Sequence, residues 1–172
     1  MADLADRLAR GDPAAFAELY DACALRLHHY LSMHTGSPAD ADDVVQETFV
    51  RLARSRKKLA KVENLTAYVF TVARNEAARL QKREAREAQA LAARPLDDGP
   101  DNAAAGDASE LVALALSRLP SEQREIVELK AYAGLTLREI AEITALPPGT
   151  VATRYRTAIA RLRDWLTRKC HD

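Results

Sequence analysis

Between Thr136 and Arg163 the chain reads TLREIAEITALPPGTVATRYRTAIARLR, and its second half spaces hydroxyl and guanidinium groups along one side of a helical pattern. At about 100° per residue, Val151, Tyr155, Ile159, Leu162 and Leu166 make an inward stripe. Thr153, Arg156, Thr157 and Arg163 then fall on the opposite side, with Arg154 and Arg161 at the flanks. Such groups suit nucleic acid. A short hydroxyl reaches phosphates or base edges, and arginine can donate two hydrogen bonds to guanine O6 and N7, worth about 1–3 kcal/mol of discrimination. The preceding segment supports a helix-turn-helix: Thr136 and Glu139 have capping-box spacing, Leu137, Ile140 and Ala141 turn inward, and Leu146-Pro147-Pro148-Gly149 forms the corner. In that docking mode Thr136, Thr150, Thr153, Arg154 and Arg156 are the candidate contacts to duplex DNA. A merely soluble hairpin would also turn arginine outward, but the capping box, the corner and the basic bias together favour a DNA reader.

The elements that must carry this helix read as helices too. Alanine, the best helix former, occurs 34 times in 172 residues, and no stretch alternates like a strand for long, so the fold class is all-α. Helical patterns are expected from about Ala108 to Arg118 and from Ser121 to Tyr132, with Gly134 as a left-handed stop. Toward the N-terminus, Asp12-Pro13 opens a helix that buries Phe16, Leu19, Tyr20, Cys23, Leu27, Tyr30 and Leu31 and ends near HTGSP. The next, ADADDVVQETFVRLARSRKK, turns Ala41, Val44, Val45, Thr48, Phe49 and Leu52 inward and leaves Asp43, Gln46, Glu47 and Arg51 outside. A basic connector, RKKLAKVEN, leads to a third helix from about Asn64, with Leu65, Tyr68, Val69, Val72, Ala73 and Leu80 inward. RPLDDGPDNAAAGD has linker composition, so the expected organisation is a helical domain at residues 1–93, a flexible linker at 94–107 and a second helical domain at 108–172. Fully stretched, that linker would span roughly 50 Å, enough to let the domains sit apart on an extended ligand.

Charge is arranged in blocks. The total balances at 25 basic against 25 acidic residues, yet residues 1–50 hold 3 and 9, 51–94 hold 12 and 4, 95–128 hold 2 and 8, and 129–172 hold 8 and 4. Two basic segments, each preceded by an acidic one, suit two polyanion-binding surfaces and separate acidic surfaces for a protein partner. The N-terminal residues lack the apolar core of a signal peptide and no run reaches the roughly 18 apolar residues of a membrane span, so a cytoplasmic protein without membrane insertion is expected. Cys23 and Cys170 form no CxxC pair and read as reduced thiols. His28, His29 and His34 near Cys23 lack the spacing of known zinc sites, so no metal or other cofactor is expected. With no phosphate-cradling loop, G-x-S-x-G elbow or H-E-x-x-H helix, the sequence suggests binding and not catalysis.

At this point the chain resembles a known family. DPAAFAELYDA, DADDVVQETFVRLARS, NLTAYVFTVARNEAARL and LPSEQREIVELKAYAGLTLREIAEITALPPGTVATRYRTAIARLR together look like a sigma-70 family RNA polymerase sigma factor of the extracytoplasmic-function (ECF) class, which keeps domains two and four. The resemblance implies core RNA polymerase as partner, through the β′ clamp helices and the β flap, with Asp43, Gln46, Glu47 and Arg51 as the clamp-facing surface. It implies that the connector and third helix open the minus-ten element of promoter DNA. Arg56, Lys57, Lys58 and Lys61 would then track phosphates, and Asn64, Tyr68, Arg74 and Asn75 would lie nearer the melted bases. Domain four would read the minus-thirty-five element as duplex. Many members are held by an anti-sigma factor, so such a partner is compatible with the resemblance. The chain departs from the usual pattern at Tyr68, where tryptophan is common, at Arg79, where aspartate is usual, and at Ala152, often basic, so the promoter sequence cannot be copied from relatives.

Two other readings use the same residues. A stand-alone helix-turn-helix regulator would bind duplex without polymerase, and a sigma mimic that titrates an anti-sigma factor would bind no promoter. For the docking face itself, Arg154→Ala and Arg156→Ala are each expected to weaken duplex binding at moderate salt, and unchanged affinity in a salt titration would reject it.

Overall fold

The computed structural model describes residues 2–91 and 107–169, all of whose regular elements are helical. Cys170 and residues 94–106 of the expected linker lie outside the described residues. The first lobe comprises α1 (Ala2–Arg10), α2 (Pro13–Thr35), α3 (Pro38–Arg54), a 3₁₀ segment (Arg56–Lys61) and α4 (Leu65–Leu91). The second comprises α5 (Asp107–Ser117), α6 (Ser121–Ala131), α7 (Leu137–Thr144) and α8 (Pro148–Lys169).

Local chemistry sets the boundaries. Asp12 accepts a hydrogen bond from Ala14 N at 2.9 Å and Pro13 fills the first turn, while α2 stops at Gly36 in the left-handed region (φ 75°), whose N–H reaches Ser32 O. Ser37 then caps α3 through Asp40 N, with Pro38 again in the first turn. Arg7 grips Asp12 at 2.9 Å and holds its carboxyl below the usual carboxylate range. That contribution is present above the ordinary carboxylate pKa and is lost as pH falls through the lowered one.

The sequence reading omitted α1, although Leu4, Ala5 and Leu8 repeat at helical spacing. Leu8 is fully buried, and α1 lies on the 3₁₀ segment, whose Leu59 is fully buried as well. The basic connector is thus an anchored turn. Gly11 (φ 84°) sits directly beneath Arg56; an added Cβ would lie 3.0 Å from its Nε. Two inward assignments change. Tyr20 is 48% exposed, and Phe70, absent from the expected stripe of α4, is fully buried.

Phe70 is buried because α4 is covered on more than one side. It packs on α2 and α3 within its own lobe and on α7 of the other, and α2 also meets α6. One hydrophobic cluster therefore runs through both lobes, joining Leu27, Tyr30, Leu31, Val69 and Phe70 to Ile126, Leu129, Leu135 and Ile140. A smaller one gathers Leu116, Leu119, Val127 and Ala158, with Met33 of α2 against it. Arg26 spans the junction, donating to Ala133 O at 2.7 Å with its guanidinium 5.9 Å from the centroid of the Phe70 ring. The helical lobes are those expected from the sequence; their mutual packing was not foreseen.

Among the described residues no helix is long and apolar enough to cross a membrane. Leu59→Ala should lower the unfolding free energy by about 2–5 kcal/mol in urea titration, since Leu59 alone pins the basic segment to the core, and a loss under about 1 kcal/mol would contradict that anchoring.

Candidate nucleic-acid interface

The helix-turn-helix begins with the expected capping box. Glu139 N donates to Thr136 Oγ1 at 3.2 Å, and Thr136 N donates to the Glu139 carboxylate at 2.8 Å. The Thr136 hydroxyl also donates to that carboxylate, so it is already engaged by its own helix. At the other end of α7, Ala145 adopts a left-handed conformation (φ 54°) and Leu146 N returns to Ala141 O at 3.1 Å. A non-glycine residue in that region costs roughly 1–2 kcal/mol, and the second helix-end contact helps hold it.

This corner releases α8 with its polar side outward. Thr153, Arg156 and Thr157 are exposed, and Thr150 is half-buried. The hydroxyl of Thr157 donates back to Thr153 O, whereas the Arg156 guanidinium, among the described residues, donates to Ala152 O at 3.4 Å. Arg154 is placed differently: its guanidinium pairs with Glu122 of α6 at 2.8 Å and its side chain is 29% exposed. Arg138, not singled out from the sequence, is 88% exposed beside Thr136 at the start of α7. Its position on the outer face of a capping-box helix was a readable signal.

In the first lobe Arg56, Lys57, Lys58 and Lys61 are all exposed on the 3₁₀ segment. Asn64 caps α4 by accepting from Ala67 N at 3.0 Å, and its amide donates to Glu142 of α7 at 3.1 Å. Tyr68 is half-buried in a groove it shares with Thr66, Thr71, Arg138 and Glu142. Asn75 is exposed, but Arg74 makes a two-pronged bond to the Glu125 carboxylate of α6, one arm at 3.0 Å, which pushes its pKa still higher. Of these eight residues, Arg56, Lys57, Lys58, Lys61 and Asn75 face solvent, whereas Asn64 and Arg74 are bonded to the second lobe.

The outward face of α3 divides as well. Asp43 and Gln46 are exposed and Glu47 is half-buried, forming one continuous polar patch. Beside them the rings of Tyr20 and Phe49 pack with centroids 4.9 Å apart in a groove that Phe16 also lines. Arg51 stays at the edge of this patch, 42% exposed with its guanidinium 4.0 Å from Glu47, while its Nε lies 2.7 Å from Glu76 of α4, which is only 7% exposed and accepts from Arg79 at 2.8 Å. Arg79, the departure noted in the sequence, thus completes a buried carboxylate bridge. His28 pairs with Asp42 at 3.1 Å and His34 with the buried Glu128 at 3.0 Å. Burial raises the Cys23 thiol pKa.

Comparison with known proteins fits this geometry. Residues 19–87 match Sigma-70 region 2 and residues 109–162 match Sigma-70, region 4, so the two matches cover α2–α4 and the helix-turn-helix lobe. The chain is 32% identical over 161 residues to the ECF RNA polymerase sigma factor SigL of Mycobacterium tuberculosis, covering 90% of each chain. It belongs to the sigma-70 family, in the extracytoplasmic-function class. This sigma factor is also 33% identical to the ECF RNA polymerase sigma factor RpoE of Cereibacter sphaeroides, over 91% of its own length and 88% of that protein's. Among solved structures, CnrH in complex with the cytosolic domain of CnrY matches with a TM-score of 0.71 at 26% identity, covering 96% of both chains. RpoE in complex with the anti-sigma factor NepR from Bartonella quintana matches with a TM-score of 0.62 at 26% identity, covering 82% of this chain and 89% of that one.

The Glu76 bridge yields a stability prediction for the sigma factor. Glu76→Leu leaves Arg51 and Arg79 without the carboxylate they share and should cost about 1–3 kcal/mol in urea unfolding, while a loss below about 0.5 kcal/mol would show that solvent replaces it freely.

Proposed function

We propose that this sigma factor directs core RNA polymerase to promoters by dividing the work between its lobes. The α1–α4 lobe joins the polymerase through Asp43, Gln46 and Glu47, and the groove walled by Tyr20 and Phe49 extends that surface. The β′ clamp helices are the partner that the family resemblance implies for this face. Arg51, paired with both Glu47 and Glu76 and still partly exposed, belongs to the same surface.

The same lobe engages the minus-ten element. Arg56, Lys57, Lys58 and Lys61 follow the phosphates, and Asn64, Tyr68, Arg74 and Asn75 lie toward the melted strand, where stacking on an aromatic ring is worth roughly 1–3 kcal/mol per base. The α5–α8 lobe reads the minus-thirty-five element with Thr153 and Arg156 of α8, supported by Thr150, Arg154, Thr136 and Arg138 near the phosphates, and meets the β flap. The boundaries proposed for these units are residues 1–93 and 108–172, joined by a linker at 94–107. The chain acts in the cytoplasm, contributes binding energy and leaves phosphodiester chemistry to the polymerase. An anti-sigma factor is a further proposed partner, since both solved relatives named above were captured in sigma complexes of that kind or with a cytosolic partner domain.

The observation that carries this reading is the presence, in order on one chain, of both sigma-70 regions with a polar α3 face and an outward-facing recognition helix. Run-off transcription from genomic fragments with purified core polymerase tests it. Start-specific transcripts should appear on adding the protein and drop at least about ten-fold when Asp43 and Glu47 are both reversed to lysine, a loss equivalent to about 1.4 kcal/mol of coupling. Duplex binding without any transcript would favour a stand-alone regulator instead.

A further inference from the structure

Two arginines on one flank of α8 are held by consecutive residues in the first turn of α6. Glu122 pairs with Arg154 at 2.8 Å, and the Arg161 guanidinium donates to the side-chain carbonyl of Gln123 at 3.3 Å. Seven positions, about two helical turns, separate Arg154 from Arg161, so they stand almost in line. The turn that holds them is itself fixed. Pro120 O accepts from Gln123 N and Arg124 N at 2.9 Å each, and the Arg124 side chain donates to the carbonyls of Leu116, Ser117 and Leu119. Farther along, Val127 of α6 packs in one cluster with Ala158 of α8. Arg156, on the outer face, is exposed and donates within its own helix, to Ala152 O. The flank arginines are thus tied to a neighbouring helix and Arg156 to its own.

An ion pair as open as this one, with Glu122 66% and Arg154 29% exposed, adds little to folding stability. Its effect is on aim. Contacts to phosphates set the register of a protein on duplex DNA, whereas contacts to base edges carry the sequence information. A guanidinium on a free side chain can meet phosphates in several registers; one clasped by a carboxylate on a fixed turn meets them in one. We propose that Glu122 is a positioning residue for promoter reading: through Arg154, with Gln123 steadying Arg161, it fixes the register in which Thr153 and Arg156 meet base edges. The proposal rests on the reading of α8 as the helix that enters the minus-thirty-five duplex. The Glu122 carboxylate also repels nearby phosphates, so the pair contributes more to discrimination than to affinity. Without it, Arg154 is a free cation that serves duplex of any sequence, and the margin by which a preferred sequence is favoured shrinks.

The test uses the full-length protein as wild type, Glu122→Ala, Glu122→Gln and Arg156→Ala. The wild type first enriches a preferred duplex from a fluorescein-labelled pool with a randomised core. Anisotropy titrations at fixed salt then compare that duplex with a scrambled one. Glu122→Ala should narrow the discrimination about ten-fold, the equivalent of one well-made base contact, chiefly by binding the scrambled duplex more tightly. Glu122→Gln keeps an acceptor for Arg154 without the charge and should retain the wild-type discrimination. Equal losses in both variants would assign the effect to charge alone and overturn the positioning role. Melting followed by circular dichroism reads a purely structural role: a Glu122→Ala protein that melts lower yet discriminates as wild type also overturns it. If the wild type enriches no duplex, or if Arg156→Ala discriminates as well as wild type, the assignment of α8 fails and the proposal with it. Discrimination lost in Arg156→Ala but intact in Glu122→Ala overturns the proposal and leaves that assignment standing.

Discussion

Phe70 has no open face. Tyr30 lies against it with ring centroids 6.1 Å apart, and the Arg26 guanidinium lies near it before reaching across to Ala133 O. A ring so enclosed forces α4 to bury residues toward its own lobe and toward α7 at once, and this constraint governs where polar side chains can appear on the helix. They appear at its start, at Asn64; in the middle, at Arg74 and Asn75; and along residues 81–90, all exposed. Functional chemistry on α4 is thus confined to what two-sided packing leaves over.

The seam between the lobes combines an apolar floor with polar edges. The Arg74–Glu125 ion pair contributes modestly once desolvation is counted, but together with the His34–Glu128 hydrogen bond it fixes which surfaces meet. Burial and the neighbouring carboxylates also push the Tyr30 phenol upward, so its hydroxyl stays protonated and uncharged at the junction. An unpaired buried hydroxyl costs about 1–3 kcal/mol, a penalty opposed by the apolar contacts beneath it. Contacts of this mixed kind are typical of domains that associate and part.

Much of the second lobe was legible in the sequence because its signals are local. The T-x-x-E box stands where it was expected, while α8 begins at Pro148, two residues inside the expected corner, and adds the fully buried Ala158 to its stripe. The order of the two sigma regions was equally readable from the quoted motifs. What escaped was long-range or short. α1 has only nine residues, too few for a periodic pattern to stand out, and its burial depends on the 3₁₀ segment many positions away. Phe70 was passed over because a single inward stripe was assumed for a helix that has two. Arg51 is outward and partly exposed as expected, but its second contact, to Glu76, lies 25 positions on, and nothing in either segment announces the pairing. The carboxylates that meet Asn64 and Arg74 lie still farther along the chain, and helical periodicity does not report which helix another will touch.

The turn between α7 and α8 has a consequence of another kind. Because Ala145 accepts a disfavoured backbone conformation and Leu146 ties back to Ala141, the crossing of these helices is set by main-chain geometry and not by the side chains on the outer face of α8. Residues such as Thr153 and Arg156 can therefore be exchanged without re-aiming the element that presents them. The outer face of α8 is thus free to vary one position at a time while the crossing of the two helices stays as it is.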